Sequence, residues 1–494
     1  MDWLRKYLIR STQKPEKSQV DAYLTVYLSL SITIILSLVL ALLQSARIGA
    51  VKMKSELSVD IAMNSVLGEY NRALFDRYGL LFIDTSYGTS NGSVINTRDH
   101  LENYFSKNFE RTSVGMLTGR TTLMPAKLAN LNITGYSIAT DKKGAVLRRQ
   151  IIEYMKGDPL DAAIGSIQKN VDELKSCGFD KSDIDDKAKD NEKEVSSPYY
   201  ADTDGDGEAE TYYADNPASQ VTAQRGIGIL PLAAPDIDEI SSAAIDSSGC
   251  ASKRSLKKGT GLDESEKKGI GPNHLFEKYL HEKCGCYGNE LEGSKLQYEL
   301  EYIFAGKDSD YANLEKTLEA IFVWKEAANF AHIMGDASKR AEAQALALTA
   351  SVLLTLPELE HQIMMAIIFA WSFAETISDL RILLSGGKVP IIKTASTWNL
   401  SLEHMLEFRD HLKDGGGTGL SYKDYLNILI YLEKKEKKTM RLMDVIEMNI
   451  RKTEGNLNFK LDDCVDILCA DFEINGPYNK KIEIERSYGY EMFE

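Results

Sequence analysis

The sequence predicts an α+β fold in which one N-terminal transmembrane helix continues into a helix-plus-sheet unit, followed by a mainly α-helical bundle and a C-terminal β-hairpin. Three observations carry that expectation. Tyr23 to Leu43 is a run of 21 residues without a formal charge, and a membrane-spanning helix needs about 20. From Leu291 to Thr453 apolar residues recur at three-and-four spacing, the signature of helices with one buried face. Near the C-terminus the period changes again: CADFEI and KIEIERSYGY flank the turn NGPYNK, which places a β-hairpin at about Cys469 to Tyr490.

Residues 1–22 form a basic tail and residues 23–43 the span. The apolar run is too long and too deep in the chain for a secretory signal, and no small-x-small cleavage site follows it, so it reads as an uncleaved anchor. Arg5, Lys6, Arg10, Lys14 and Lys17 precede it, whereas Arg47, Lys52 and Lys54 follow it. By the positive-inside rule the N-terminus is cytoplasmic and the C-terminal body extracytoplasmic. Thr25, Ser29, Thr33 and Ser37 recur every fourth residue, a slanted stripe that suits close helix packing in lipid and homo-oligomerisation through the anchor. The alternative is that each hydroxyl bonds its own backbone one turn back.

Residues 44–176 are expected to hold an extracytoplasmic helix plus a β unit. Ile48, Val51, Ile61, Ala62, Val66 and Leu74 keep the helical spacing up to Arg77, so the anchor helix is expected to emerge from the bilayer and pack on a soluble domain. Gly79 ends it and Leu80 to Ser86 reads as a buried strand. A second strand is placed at Leu128 to Ile138, where the alternation changes frame across Gly135, as at a bulge.

Residues 177–273 read as an acidic and Ser/Gly-rich connection. Asp180 to Glu194 and Ser241 to Gly271 are expected to be exposed and mobile, and RGIGILPLAAPDIDEI between them to dock as a short extended segment. Within it Asp202, Asp204 and Asp206, followed by Gly207, reproduce the first half of a calcium loop, where alternate carboxylates converge on a hard cation. The twelfth position, Tyr213, lacks the bidentate Glu, and Glu210 or Asp215 could substitute only with altered geometry, so the candidate Ca2+ set is Asp202, Asp204, Asp206, Glu208 and Glu210. A solvated acidic turn is the alternative. Tyr199, Tyr200, Tyr212 and Tyr213 cluster around it.

Residues 274–455 are the helical domain. His274, His281, Cys284 and Cys286 are zinc-ligand types at the wrong spacing, which favours surface histidines and ordinary thiols. One helix stops near Gly335, Asp336 caps the next to Thr355, and Pro357 opens a third that ends before Gly386. Ser421 with Asp424 makes a capping box for a long helix ending near Lys452. Ala343 to Leu356 and Ile363 to Ala374 are too short for a membrane hairpin and are read as a buried pair. Residues 456–494 supply the C-terminal strands.

Composition narrows the function. With 43% hydrophobic and 27% charged residues the chain is ordinary for a globular protein, and a net charge of −15 disfavours nucleic acid as a partner. Six cysteines in 494 residues are too few for a disulfide scaffold. There is no Walker loop, HExxH or GxSxG, so no catalytic residue is assigned and no enzymatic activity is expected.

YLTVYLSLSITIILSLVLALLQSARI followed by ELSVDIAMNSVLGEYNRALFDRYGLLFID resembles the N-terminus of an uncharacterised family of Gram-positive membrane proteins found with tight-adherence (Tad, or Flp) pilus systems, distantly similar to TadE and TadG pseudopilins. LEYIFAGKDSD, EAANFAHIMGD, RILLSGGKVPIIK and GLSYKDYLNILIYL resemble it as well. The resemblance implies a pilin-like N-terminal unit in a membrane-anchored, non-enzymatic pilus component, with other pilus or secretion-platform membrane proteins as partners. No Gly precedes the span with a Glu five residues into it, so pilin-type processing is not expected. A surface module binding cell-wall glycan or protein and a metal-dependent hydrolase are the alternatives.

Overall fold

The computed structural model describes residues 15–110, 126–156, 169–172, 183–201, 209–213, 216–260, 262, 270–353 and 359–490. Its first element, α1 (Pro15–Leu67), is one continuous helix of 53 residues, about 80 Å long at 1.5 Å per residue. None of its apolar N-terminal window is buried in the protein, and it is long and apolar enough to cross a membrane. Beyond Ala50 the same helix changes partner: Val51, Val59, Ala62, Met63 and Val66 are buried in a protein core. The chain leaves α1 at Gly68 and re-enters helix at α2 (Arg72–Tyr78), where the Asn71 side chain accepts the Leu74 N–H at 3.0 Å. Gly79 closes α2 in the left-handed region, φ 68°, where a Cβ would strike the Tyr154 ring.

The expected strand at Leu80 to Ser86 is reduced to β1 (Ile83–Asp84). After α3 (Val94–Glu110) comes β2 (Lys127–Ile138), with a register shift between Ile133 and Gly135 at the expected bulge. The decisive strand is β7 (Cys464–Asn475), which pairs antiparallel with β2 along one edge and with β8 (Lys481–Gly489) and β1 along the other. The C-terminal hairpin therefore exists, its first strand beginning at Cys464 rather than Cys469, and that strand is the centre of the N-terminal sheet. The outer half of α1 from Val51, with β1, α3, β2, β7 and β8, forms one unit, and α1 and α3 cover one face of its sheet through Val59, Met63, Leu101, Phe105 and Phe472. Asp60 binds Arg486 at 2.9 Å and Tyr490 donates to the Leu67 carbonyl at 2.6 Å, which ties the helix to the last strand.

The other face of β7 meets the helical body. Cys464 lies in the large core and Val465 in the smaller one, so the first half of β7 is sandwiched. Next to it runs α4 (Asp141–Met155). The body continues through α5 (Asp183–Val195), the small hairpin β3 (Tyr199–Ala201) and β4 (Glu210–Tyr212), and α6 (Ile270–Lys283). It is completed by α7 (Glu299–Ala305), α8 (Asp310–Gly335), α9 (Ala337–Leu353) and α10 (Glu360–Leu384), then the two-residue pair β5 (Lys388–Val389) and β6 (Leu420–Ser421), and finally α11 (Tyr422–Leu432) and α12 (Lys435–Ile450). Helix α10 passes a length and hydropathy test for a membrane span, but 89% of its apolar window is buried inside the protein, so it is a core helix. Trp371, Ile367 and Phe373 fill its surroundings.

Several expectations are corrected here. Residues 183–195 are a helix docked through Ala188 and Val195, because two small apolar side chains on one face suffice to seat a charged helix on α10. Residues 241–260 are held in place: Cys250 and Ala251 are buried and Ser241 donates to Asp310 at 2.7 Å. Ile229–Ala233, within RGIGILPLAAPDIDEI, is docked as expected but helical. The Ser421–Asp424 capping box is formed, yet its helix stops at Leu432 and restarts as α12, because Glu433 and Lys434 are extended. Thr355 and Pro357 lie outside the described residues.

Candidate functional site

In the N-terminal half of α1, Thr25 donates to the Ala22 carbonyl at 3.0 Å, Ser29 to Val26 at 2.9 Å, Thr33 to Ser29 at 2.7 Å and Ser37 to Ile34 at 2.8 Å. These back-bonds satisfy the hydroxyls within the helix and leave the stripe small and exposed. Asp202, Asp204, Asp206 and Glu208 lie outside the described residues; Glu210 opens β4. Tyr199 and Tyr212 pair across the β3–β4 hairpin, and Tyr200 and Tyr213 are exposed.

The zinc-type residues do not assemble a site. Among the described residues no group of three or more His, Cys, Asp or Glu is placed to hold a metal. His281 is half-buried rather than fully exposed, and burial, with Lys423 and Lys438 adding to it, lowers its pKa to about 4. Burial also pushes the Cys286 thiol up to about 12 and Cys284 well above the usual range, the state of inert core thiols.

Sequence reasoning missed a buried ionic cluster in the helical body. The side chains of Lys325 and Lys393 are 1% exposed and those of Glu375 and Asp379 not at all. Lys325 lies 3.3 Å from Asp379; Lys393 bridges Glu375 and Asp379. Glu375 also accepts the backbone N–H groups of Asn399 and Leu400, both at 2.8 Å. Burial pushes the Glu375 carboxyl up, offset in part by Lys393. Burial opposes the charge on Lys393 too, but Asp379 and Glu375 more than offset it and hold its pKa above the usual value. Lys339 stands over the Trp371 and Trp398 rings at 4.5 and 4.3 Å. Two cations and two carboxylates neutralise one another, so the cluster locks α8, α10 and residues 390–400 together rather than offering a reactive group.

A second feature is open to solvent. A cavity of about 470 Å³ lies between the end of β2, the start of α4, residues 256–259 and Leu262. Lys142, Lys143, Lys257 and Lys258 line it. A neighbouring, more open cavity of about 640 Å³ shares Lys143 and Met440 and adds Arg148, Lys434, Lys435 and Lys437. Asp141 pins the walls together, one carboxylate oxygen accepting the Ile138 N–H and the other the Gly259 N–H, both at 2.9 Å. Glu436 binds Lys143 at 2.6 Å. The lysine pair is presented by an unusual backbone, since Lys142, Lys143 and Gly144 are all left-handed with φ 49°, 57° and 80°. For a lysine that conformation costs about 1–2 kcal/mol, and such strain gathers at functional positions. Ser137 and Thr140 also line the first cavity, and their buried hydroxyl oxygens have no hydrogen-bond partner among the described residues, a cost of about 1–3 kcal/mol each. The sequence signal for this cleft was the Lys-Lys doublet, which occurs at 142, 257 and 434, positions too far apart to be read as one site.

No curated protein and no solved structure matches the chain. Residues 207–476, which include one wall of this cleft and all of β7, match a family of unknown function (DUF5702). That is more than half of the 494 residues, and the chain belongs to this family.

Proposed function

We propose that the protein is a non-enzymatic, membrane-anchored extracytoplasmic component of a Tad-type pilus or related envelope assembly, acting through helix packing and protein–protein contacts. The observation that carries this reading is α1. Its apolar half has no protein partner among the described residues, its outer half packs on a sheet, and no break separates the two. A helix of this kind couples events in the bilayer to the folded body, and its stripe at Thr25, Ser29, Thr33 and Ser37 suits lateral packing against a second transmembrane helix. The excess of Lys and Arg before the span supports a cytoplasmic N-terminus. The resemblance of the anchor region and four later segments to pilus-associated membrane proteins supports the assembly.

The test has two arms. In a cysteine-free background, Ser11→Cys is protected from an impermeant thiol reagent in intact cells and the exposed Ser255→Cys is labelled; the reverse pattern refutes the orientation. Ser29→Leu with Thr33→Leu keeps the span apolar but fills the stripe, and is expected to insert normally and lose its membrane partners. Photo-crosslinking from position 29 that reaches only lipid in the otherwise native protein refutes the packing role.

A further inference from the structure

We propose that the lysine-lined cleft between β2, α4, residues 256–259, Leu262 and the start of α12 binds a phosphate-bearing anion. The inference is independent of the membrane reading. Four observations converge on it. A chain of net charge −15 gathers eight cationic side chains around two adjoining cavities, against Asp141 and Glu436 in the described lining and against Asp463 and Glu433, which pair with Lys257 and Lys437, while Arg148 is buried on the Thr439 hydroxyl. Both Asp141 oxygens are already engaged by backbone N–H groups, so that carboxylate organises the site rather than occupying it. The lysine pair 142–143 sits in a left-handed turn, and Gly144 after it packs so closely on α12 that a Cβ there would collide with Met443 and Thr439. Ser137, 2% exposed, and Thr140, 4% exposed, line the first cavity and carry buried hydroxyls with no partner among the described residues.

The donor set selects the ligand. Lysine ammonium groups and hydroxyls are donors, and several of them converge on one space. A phosphate offers three or more acceptor oxygens in a tetrahedron and takes such donors from several directions at once, whereas a carboxylate offers two in a plane. The joined cavities exceed the size of a single phosphate, which points to a phosphate ester or a diphosphate.

The experiment uses the full chain in nanodiscs of zwitterionic lipid and measures binding calorimetrically at low and physiological salt. The probes are pyrophosphate, glycerol phosphate and water-soluble dihexanoyl phosphatidylglycerol. Binding of pyrophosphate or glycerol phosphate identifies a free phosphate ester; binding of the short-chain lipid without glycerol phosphate identifies a lipid headgroup. Either supports the site, provided that Lys142→Gln with Lys258→Gln weakens binding about tenfold per lysine at an unchanged melting temperature. Lys480→Gln with Lys481→Gln, on the distant hairpin, is the control and is expected to be silent. Ser137→Ala with Thr140→Val separates roles: it weakens binding if the hydroxyls meet the anion. No binding of any probe, or binding that ignores the Lys142 and Lys258 changes, overturns the proposal.

Discussion

Replacing Lys393 by Met tests whether the buried cluster in the helical body is held together by charge balance. In the native protein Lys325 and Lys393 offset Glu375 and Asp379, all four essentially without solvent contact. Lys393→Met leaves two carboxylates against one ammonium group, an uncompensated buried charge worth about 3–5 kcal/mol of lost stability. Adding Glu375→Gln restores neutrality, because Lys325 stays 3.3 Å from Asp379 and the glutamine oxygen can still accept one of the two N–H groups at Asn399 and Leu400. The double variant is therefore expected to be more stable than Lys393→Met alone, by about 2 kcal/mol. Pulse proteolysis across a urea series in mild detergent gives the free energies. Tryptophan emission gives a second readout, since the Lys393 Nζ lies 5.4 Å from the Trp398 ring. A Lys393→Met protein within 1 kcal/mol of the native one, or a double variant less stable than the single, refutes the reasoning.

Three further outcomes are expected. A stop codon after Asp463 removes β7 and β8, so β1 and β2 lose their pairing strand; limited proteolysis should then cut within residues 69–110 while the native protein resists, and equal resistance refutes the shared sheet. Burial holds the Glu301 carboxyl at about 7, against the Tyr287 N–H and Tyr422 hydroxyl that favour its charged form. Its contribution to stability is complete below the unfolded value near 4.5 and is lost as pH rises through 7, so Glu301→Gln should gain on the native protein across that window by about 3 kcal/mol, read as melting temperature against pH; a pH-independent difference refutes this. Gly144→Ala meets both a positive φ and a collision with Met443 and should cost more than about 1 kcal/mol, whereas Gly226→Ala, with open space around it, should cost little.

What the sequence by itself determined is what depends on near neighbours. An uncharged run of 21 residues forms a helix long and apolar enough to cross a bilayer, and the three-and-four spacing beyond it buries a face; both are properties of consecutive residues. The Gly79 stop, the frame change at Gly135, the Asp336 cap and the Ser421–Asp424 box were legible for the same reason. Tertiary structure alone decided everything that joins distant segments. Nothing local says that Cys464 to Asn475 runs between β2 and β8, because strand pairing depends on which edges packing leaves available. The charged run at 183–195 became helix because α10 offered it a surface. The cleft lysines come from stretches more than a hundred residues apart, and only the fold sets Lys142, Lys258 and Lys435 around a common space. Charge clusters of this kind are invisible in a sequence of net charge −15, since summing along the chain averages away what folding concentrates.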